Sequence, residues 1–224
     1  MTHGNLNAEV SVHGYAVLRH WRPTTQADEA LASLGRIMLV GGLDEVQVIS
    51  PKERGEAPPN TYSGNFGLGR FPYHTDLSHW HMPPRYLVLR CITGSHAVST
   101  QLLDGRRLIA SRGAGVLRRT LVKPRRPRGG RRPLLPLLQS TEPLLLRWDE
   151  LFVQPASAKS LAACELVRAA LQALKGRSIT LTDPGDTIVV DNWRMLHARS
   201  RVPPGSQHRR IARAYFSELY EYAP

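Results

Sequence analysis

The chain has little cysteine, little lysine and no long apolar run. Cys91 and Cys164 are the only cysteines among 224 residues. One sits in an apolar strand-like stretch and the other on an expected helix, which points to two buried reduced thiols rather than a disulfide. No window approaches the roughly 20 apolar residues that a bilayer span needs. The first residues also lack a basic segment followed by an apolar one, so no membrane partner and a cytoplasmic location are expected. Low-complexity sequence is scarce. Together with 42% apolar residues, this excludes a disordered chain and predicts one domain over residues 1–224 with a full hydrophobic core.

Positive charge is plentiful but of one kind. The formal net charge is +12, and only four of the 30 Lys and Arg residues are lysines. Such a skew is more typical of coding bias in a GC-rich genome than of a phosphate-tracking surface. Much of the excess is local: Arg118, Arg119, Lys123, Arg125, Arg126, Arg128, Arg131 and Arg132 lie among Pro124, Pro127, Gly129 and Gly130. No aromatic residue lies among them to stack on bases, so nucleic acid is not an expected partner.

What is present reads as short strands around one good helix. Ser11 to Leu18 and Glu45 to Ile49 predict early strands, with a helix from Thr24 or Thr25 to about Leu34. Glu53 to Arg70 is rich in Gly, Pro and Asn and predicts a loop. Tyr86 to Ile92 is apolar on both faces and predicts a central strand. Val98 to Leu103 predicts the next strand, closed by an Asp104-Gly105 turn. From about residue 106 to 140 no period is visible, which predicts an irregular excursion with poor order near 123–133. Ser157 to Leu174 predicts a helix carrying Leu161, Cys164, Val167, Leu171 and Leu174 on one face, with Gly176 as its stop. Ser178 to Leu181, Thr187 to Asp191 and Arg209 to Phe216 then read as strands, with a turn at Asp183-Pro184-Gly185-Asp186. The expected architecture is mainly β with flanking helices, an antiparallel double sheet or jelly roll.

The chemistry sits in two short stretches. In Phe71-Pro72-Tyr73-His74-Thr75-Asp76, a histidine and an acid two residues apart on an extended chain point to the same side and can reach one metal ion. His197, in Asp191-Asn192-Trp193-Arg194-Met195-Leu196-His197, is the candidate third ligand. Two imidazoles and one carboxylate on one face of an octahedral ion leave the opposite face open for a co-substrate and O2. The loop before His74 would place Asn60, Tyr62, Ser63 and Asn65 near the metal. Arg209, Ile211, Arg213 and Tyr215 share one face of the last strand, a face expected to meet carboxylates. Asp191 and Arg199 are candidates for an ion pair near His197. His79 and His81 read as pocket-wall groups beside a ligand set that is already complete.

Pro72-Tyr73-His74-Thr75-Asp76, Pro83-Pro84, Ser99-Thr100, Pro184-Gly185-Asp186, the Asp191-Asn192-x-Arg194-x-x-His197-x-Arg199 run and Arg209 twelve residues beyond His197 resemble one known group. It is the taurine dioxygenase and clavaminate synthase-like group of Fe(II)/2-oxoglutarate-dependent oxygenases. The resemblance covers about residues 60–105 and 180–216, and its joint motifs are far more specific than His-x-Asp alone. It implies a distorted double-stranded β-helix, with His74, Asp76 and His197 as the catalytic iron ligands and Fe(II), 2-oxoglutarate and O2 as the cofactors. Arg209 and Thr100 would hold the far carboxylate of 2-oxoglutarate. Arg213, four residues after the clamp, would meet an acidic group of a small, anionic or amino-acid-like substrate, with Tyr62 and Asn65 as further substrate contacts. Asp76 supplies an oxygen ligand where the related halogenases have Gly or Ala, which favours hydroxylation or desaturation. A cupin-like metal protein without oxidative chemistry and a basic binding module are the competing readings. The aliphatic run Leu134-Leu135-Pro136-Leu137-Leu138 suits a lid edge, a buried segment or a homodimer contact alike.

Overall fold

Aliphatic runs such as Leu87-Val88-Leu89 and Ile188-Val189-Val190 are apolar on both faces, so they need cover on both. They lie at the centre of the larger of two facing sheets in the computed structural model, which describes residues 6–127 and 129–221. In chain order, the first half gives α1 (Leu6–His13), β1 (Tyr15–Leu18), α2 (Ala27–Ala32), β2 (Gly35–Ile37), β3 (Gln47–Ile49) and α3 (Tyr62–Phe66). Next come β4 (Phe71–His74), β5 (Tyr86–Thr93), β6 (Ser99–Asp104), α4 (Gly105–Arg112) and α5 (Ala114–Arg119). Short strands β7 (Leu121–Pro124), β8 (Leu135–Pro136), β9 (Leu138–Thr141), β10 (Leu144–Leu146) and β11 (Val153–Pro155) precede α6 (Ala158–Ala173). The chain then runs through β12 (Arg177–Thr180), β13 (Thr187–Asp191), β14 (Met195–Arg199) and β15 (Arg210–Leu219).

The larger sheet has the order β1-β13-β5-β15-β2, with β3 also on β15, and the smaller has the order β12-β6-β14-β4. Every pairing in both is antiparallel. Alternation decides which way each residue faces. On β15, Ile211 and Tyr215 enter the core between the sheets, with Leu89, Cys91, Leu102, Ile179 and Val190. Ala212, Ala214 and Phe216 face outward under α1 and α2, against Leu6, Val10 and Leu31. The outer face of the smaller sheet, Leu103, Leu196 and Ala198, is covered by Leu108, Leu117, Cys164, Val167 and Leu171 from the helices of the middle segment. The result is the expected jelly roll with flanking helices.

Several local expectations change. Residues 11–13 end α1 and only Tyr15–Leu18 is strand, because Leu6 and Val10 pack against the sheet at helical spacing. Asp104-Gly105 does not close a hairpin: Asp104 caps α4, its side chain accepting from the Arg106 N–H at 2.9 Å. The segment 106–140 is not an irregular excursion. Leu108, Leu117, Val122, Leu135, Leu137 and Leu138, scattered among arginines, are all buried and anchor two helices and the β7–β8 hairpin. The cationic side chains lie outside this core, with Arg118, Arg119, Arg125, Arg126, Arg131 and Arg132 exposed; Arg128 lies outside the described residues. The run at 134–138 is accordingly mostly buried, with Leu134 alone exposed among its leucines. On α6 the buried stripe is Ser160, Cys164, Val167 and Leu171, while Leu161 faces solvent. Both cysteines are buried free thiols, as expected. Among the described residues no helix is long and apolar enough to cross a membrane.

Candidate metal centre

Strand register builds the centre. His74 on β4 and His197 on β14 are direct cross-strand partners, so their rings leave the sheet side by side, 4.2 Å between centroids. Asp76 follows two residues later and its Oδ1 lies 3.3 Å from His74 Nε2 and 3.5 Å from His197 Nε2. All three side chains are buried, and their ligand atoms lie within 4.8 Å of one another. His74 Nδ1 lies 2.9 Å from the Pro72 carbonyl, which fixes Nδ1 as the protonated nitrogen and leaves the Nε2 lone pair for a metal.

The rest of Asp76 is held from behind. Tyr215 donates its hydroxyl to Asp76 Oδ2 at 2.8 Å, and Arg213 Nη1 lies 3.5 Å from the same oxygen. Only Oδ1 therefore faces the histidines. Burial opposes ionisation of Asp76, but hydrogen bonds and charge from His197, His74 and Arg213 outweigh it and hold the carboxyl well below the usual range. Burial and the charge of His74 push His197 down, toward the neutral imidazole that ligates metal. Burial works the same way on His74, yet Asp76 prevails and raises it.

The backbone of Asp76 is fixed by Asn192. Asn192 Oδ1 accepts from the Asp76 N–H at 2.9 Å, and its Nδ2 donates to the carbonyls of Asp76 at 3.1 Å and Pro84 at 2.9 Å. This side chain is completely buried and comes from the turn before β14, so it ties one ligand's loop to the strand that carries the third. It also secures a turn in which Leu77 takes a left-handed φ of 55°. Asn192→Ala is expected to lower iron affinity by about 10 to 100-fold, the usual scale for removing a group that orients a ligand. Fe(II) titration of the folded variant, checked by circular dichroism, measures it.

One wall of the site is aromatic. Tyr62, the first residue of α3, stacks on His74 with centroids 4.1 Å apart, and Phe71 and Phe152 lie 5.3 and 5.7 Å from it. Behind Tyr62 stands a carboxylate with no recognisable sequence signal, Asp149. Its Oδ1 accepts from the Leu151 and Phe152 N–H groups at 2.6 and 2.8 Å, whereas Oδ2 and the Tyr62 hydroxyl are both buried and act on each other without a well-formed hydrogen bond. Burial pushes Asp149 up to about 6, against the pull of His74, the two N–H bonds and the Tyr62 hydroxyl. Burial and the charge of Asp149 push Tyr62 well above the ordinary tyrosine range. Asn65 is not brought to the cluster in this way: its amide donates to the carbonyls of Pro59 and Thr61 within its own loop. Arg213 is reached, but its Nε and Nη2 donate to Gln47 at 3.1 and 2.6 Å while Nη1 faces Asp76.

A second group of cations lies on the inward side of both sheets. Thr100 is the register partner of Arg199 and of Ile179, a core residue, so Thr100 faces inward. Arg209, just before β15, is buried, and so are the Nε atoms of Arg199 and Arg209, neither with a hydrogen bond. Burial alone brings Arg209 down to about 10. Arg199 also falls to about 10, by burial and then by the charge of Arg209. Neither has a carboxylate partner among the described residues; the expected Asp191–Arg199 pair does not form. Asp191 accepts from the backbone of Trp193 and Arg194, and Arg199 donates to the carbonyls of Gly67 and Gly69. Buried guanidiniums with unpartnered N–H groups fit an anionic ligand such as a carboxylate. Two imidazoles and a carboxylate oxygen, with an adjacent anion pocket, likewise fit Fe(II) chelated by a 2-oxo acid.

No family model and no curated protein matches the chain. Solved structures do. An asparagine oxygenase in complex with Fe(II), 3-hydroxyasparagine and succinate aligns over 93% of this chain and 77% of its own at 17% identity, with a TM-score of 0.71. The non-heme iron oxygenase OrfP, in complex with Fe and α-ketoglutaric acid, aligns over 94% and 77% at 19% identity, with a TM-score of 0.66. PvcB from Pseudomonas aeruginosa, an Fe, α-ketoglutarate dependent oxygenase of an isonitrile synthetic pathway, aligns over 96% and 83% at 16% identity, with a TM-score of 0.65. The chain has the fold of these oxygenases.

Proposed function

We propose that this protein is an Fe(II)/2-oxoglutarate-dependent oxygenase that hydroxylates or desaturates an unactivated C–H bond of a small, amino-acid-like substrate. The observation that carries the reading is the buried His74–Asp76–His197 cluster in a fold that also buries Arg209 with its Nε unpartnered. In that fold neither feature is explained by packing. With iron, 2-oxoglutarate and O2 supply the oxidation, 2-oxoglutarate leaving as succinate and CO2.

The chain's own residues bind, orient and exclude water. His74, Asp76 and His197 would hold the metal. Tyr215 and Arg213 keep Asp76 turned so that a single oxygen faces it. Arg209, with Thr100, takes the far carboxylate of 2-oxoglutarate by charge-assisted hydrogen bonds. The aromatic wall of Tyr62, Phe71 and Phe152 shuts water out and positions the substrate carbon. Asp149 Oδ2 and the Tyr62 hydroxyl are buried polar atoms that act on each other without a well-formed hydrogen bond, and together they suit an ammonium or another N–H donor of the substrate. Arg213 carries N–H groups beyond those that meet Gln47 and Asp76, and these suit a substrate carboxylate. A zwitterion satisfies both ends. The neighbours that carry an amino-acid product, 3-hydroxyasparagine and (3S)-hydroxy-L-Arg, agree with that choice.

Anaerobic titration of the apo-protein with Fe(II) and then 2-oxoglutarate tests the reading. A weak visible charge-transfer band is expected, and Arg209→Ala is expected to need about 100-fold more 2-oxoglutarate for half the band, the scale of losing a buried charged hydrogen-bond pair. Iron binding without any band would overturn the co-substrate and favour a non-oxidative metal site.

A further inference from the structure

Arg199 is not needed to complete the metal cluster or the Arg209 clamp, yet it touches the surroundings of both. It lies two residues past His197 on β14 and so leaves the strand on the same inward face, opposite Thr100 on β6 and Phe71 on β4. Its guanidinium carbon sits 3.5 Å from the centroid of the Phe71 ring. Nη2 donates to the carbonyls of Gly67 at 2.7 Å and Gly69 at 2.8 Å, while Nε is buried and unpartnered. The two glycines end the segment that begins with Thr61 and α3, and Gly67 takes a left-handed φ of 54° to turn the chain toward β4. The same segment carries Tyr62, whose ring lies on His74. One guanidinium therefore joins the anion pocket to the aromatic wall.

We propose that Arg199 couples 2-oxoglutarate binding to the ordering of segment 61–70, sharing the far carboxylate with Arg209 and thereby fixing Tyr62 over the metal site. The inference rests on the oxygenase reading above. Its physical basis is charge. Arg199 and Arg209 carry like charges that act on each other with no acid paired to either, and that repulsion works against the bonds from Arg199 to Gly67 and Gly69. A carboxylate shared by the two guanidiniums removes that repulsion and gives the unpartnered Nε an acceptor. Arg199 is thus a positioning residue. The guanidinium that meets 2-oxoglutarate also steadies the wall that the substrate meets.

Hydrogen exchange at the amides of Gly64, Asn65, Gly67 and Gly69, measured anaerobically with Fe(II) and with or without 2-oxoglutarate, tests it while the charge-transfer band reports binding separately. In the natural protein, exchange at these amides is expected to slow about tenfold when the band is saturated, the middle of the usual range for coupling between sites. In Arg199→Met the band is expected at about tenfold more 2-oxoglutarate, with no slowing at saturation. Arg199→Lys keeps the charge but lacks the fork, and is expected to restore part of the affinity and less than half of the slowing. It carries the test if circular dichroism shows Arg199→Met misfolded. A saturated band with no slowing in the natural protein, or slowing that survives in both variants, would overturn the coupling. No band in the natural protein would overturn the oxygenase reading itself.

Discussion

His197→Ala is expected to fold and to lose iron binding and turnover together. The ring of His197 is buried beside that of His74 and shares Asp76 Oδ1 with it, so its removal leaves one imidazole and one carboxylate to hold the ion. Loss of one of three protein ligands exceeds the 10 to 100-fold typical of an orienting group, and about 1,000-fold or more is expected for both iron affinity and kcat/KM. The fold survives because His197 contributes no hydrogen bond from Nδ1, and its cross-strand neighbour Leu102 and the outer-face Leu196 and Ala198 of its own strand keep their apolar packing. Circular dichroism with an Fe(II) titration measures both halves. Activity retained without iron, or collapse of the fold in the variant, would contradict the assignment of this residue to the metal.

Asp149→Asn is expected to make the apo-protein more stable and the enzyme worse. Asp149 rises from its ordinary 3.8 to about 6 in the fold, chiefly through burial. A carboxyl raised on folding binds its proton more tightly in the native state, so its ionisation costs stability above about pH 6. Below about pH 4 it is protonated in both states and the cost vanishes. The full cost is about 3 kcal/mol. Asparagine keeps the oxygen that accepts from the Leu151 and Phe152 N–H groups and removes the charge. Denaturant unfolding of the apo-protein at pH 8 should therefore show a gain of up to about 3 kcal/mol, shrinking toward zero at pH 4. If the carboxylate receives a substrate N–H donor, kcat/KM falls on the order of 100-fold, mostly through KM, while the 2-oxoglutarate band is unchanged. Unchanged KM would leave Asp149 as a brace for the turn at 149–152 and remove the ammonium from the substrate reading.

Stability given up at one buried carboxylate marks where local sequence rules and the site disagree. Asp149 follows an apolar strand in Leu-Leu-Leu-Arg-Trp-Asp, a context that predicts nothing beyond the end of that strand. What brings it to the candidate metal centre is the Trp148 carbonyl accepting from the Thr75 N–H at 2.8 Å, a contact across 73 residues. Arg147 beside it is fully buried and donates to the carbonyls of Ser78, Trp80, His81 and Pro136 and to Gln139, so it staples the loop after Asp76 to the middle segment. No spacing rule announces such a staple.

The sequence alone brought out the three candidate metal ligands, the central strands and the long helix. The reason is geometric: side chains repeat every two residues on a strand and about every 3.6 on a helix, so His74 and Asp76, or Cys164, Val167 and Leu171, declare a shared face without reference to the rest of the chain. Tertiary structure decided what those faces meet. It converted the arginine-rich middle into two helices and a hairpin, because their scattered leucines find a sheet to bury against. It also turned Asp104 from a turn residue into a helix cap, gave Asn192 and Tyr215 their hold on Asp76, and set Arg199 on Gly67 and Gly69 in place of Asp191. Each of these depends on atoms more than a few residues distant in the chain or on what a neighbouring element leaves unpaired, and neither quantity is written in local periodicity.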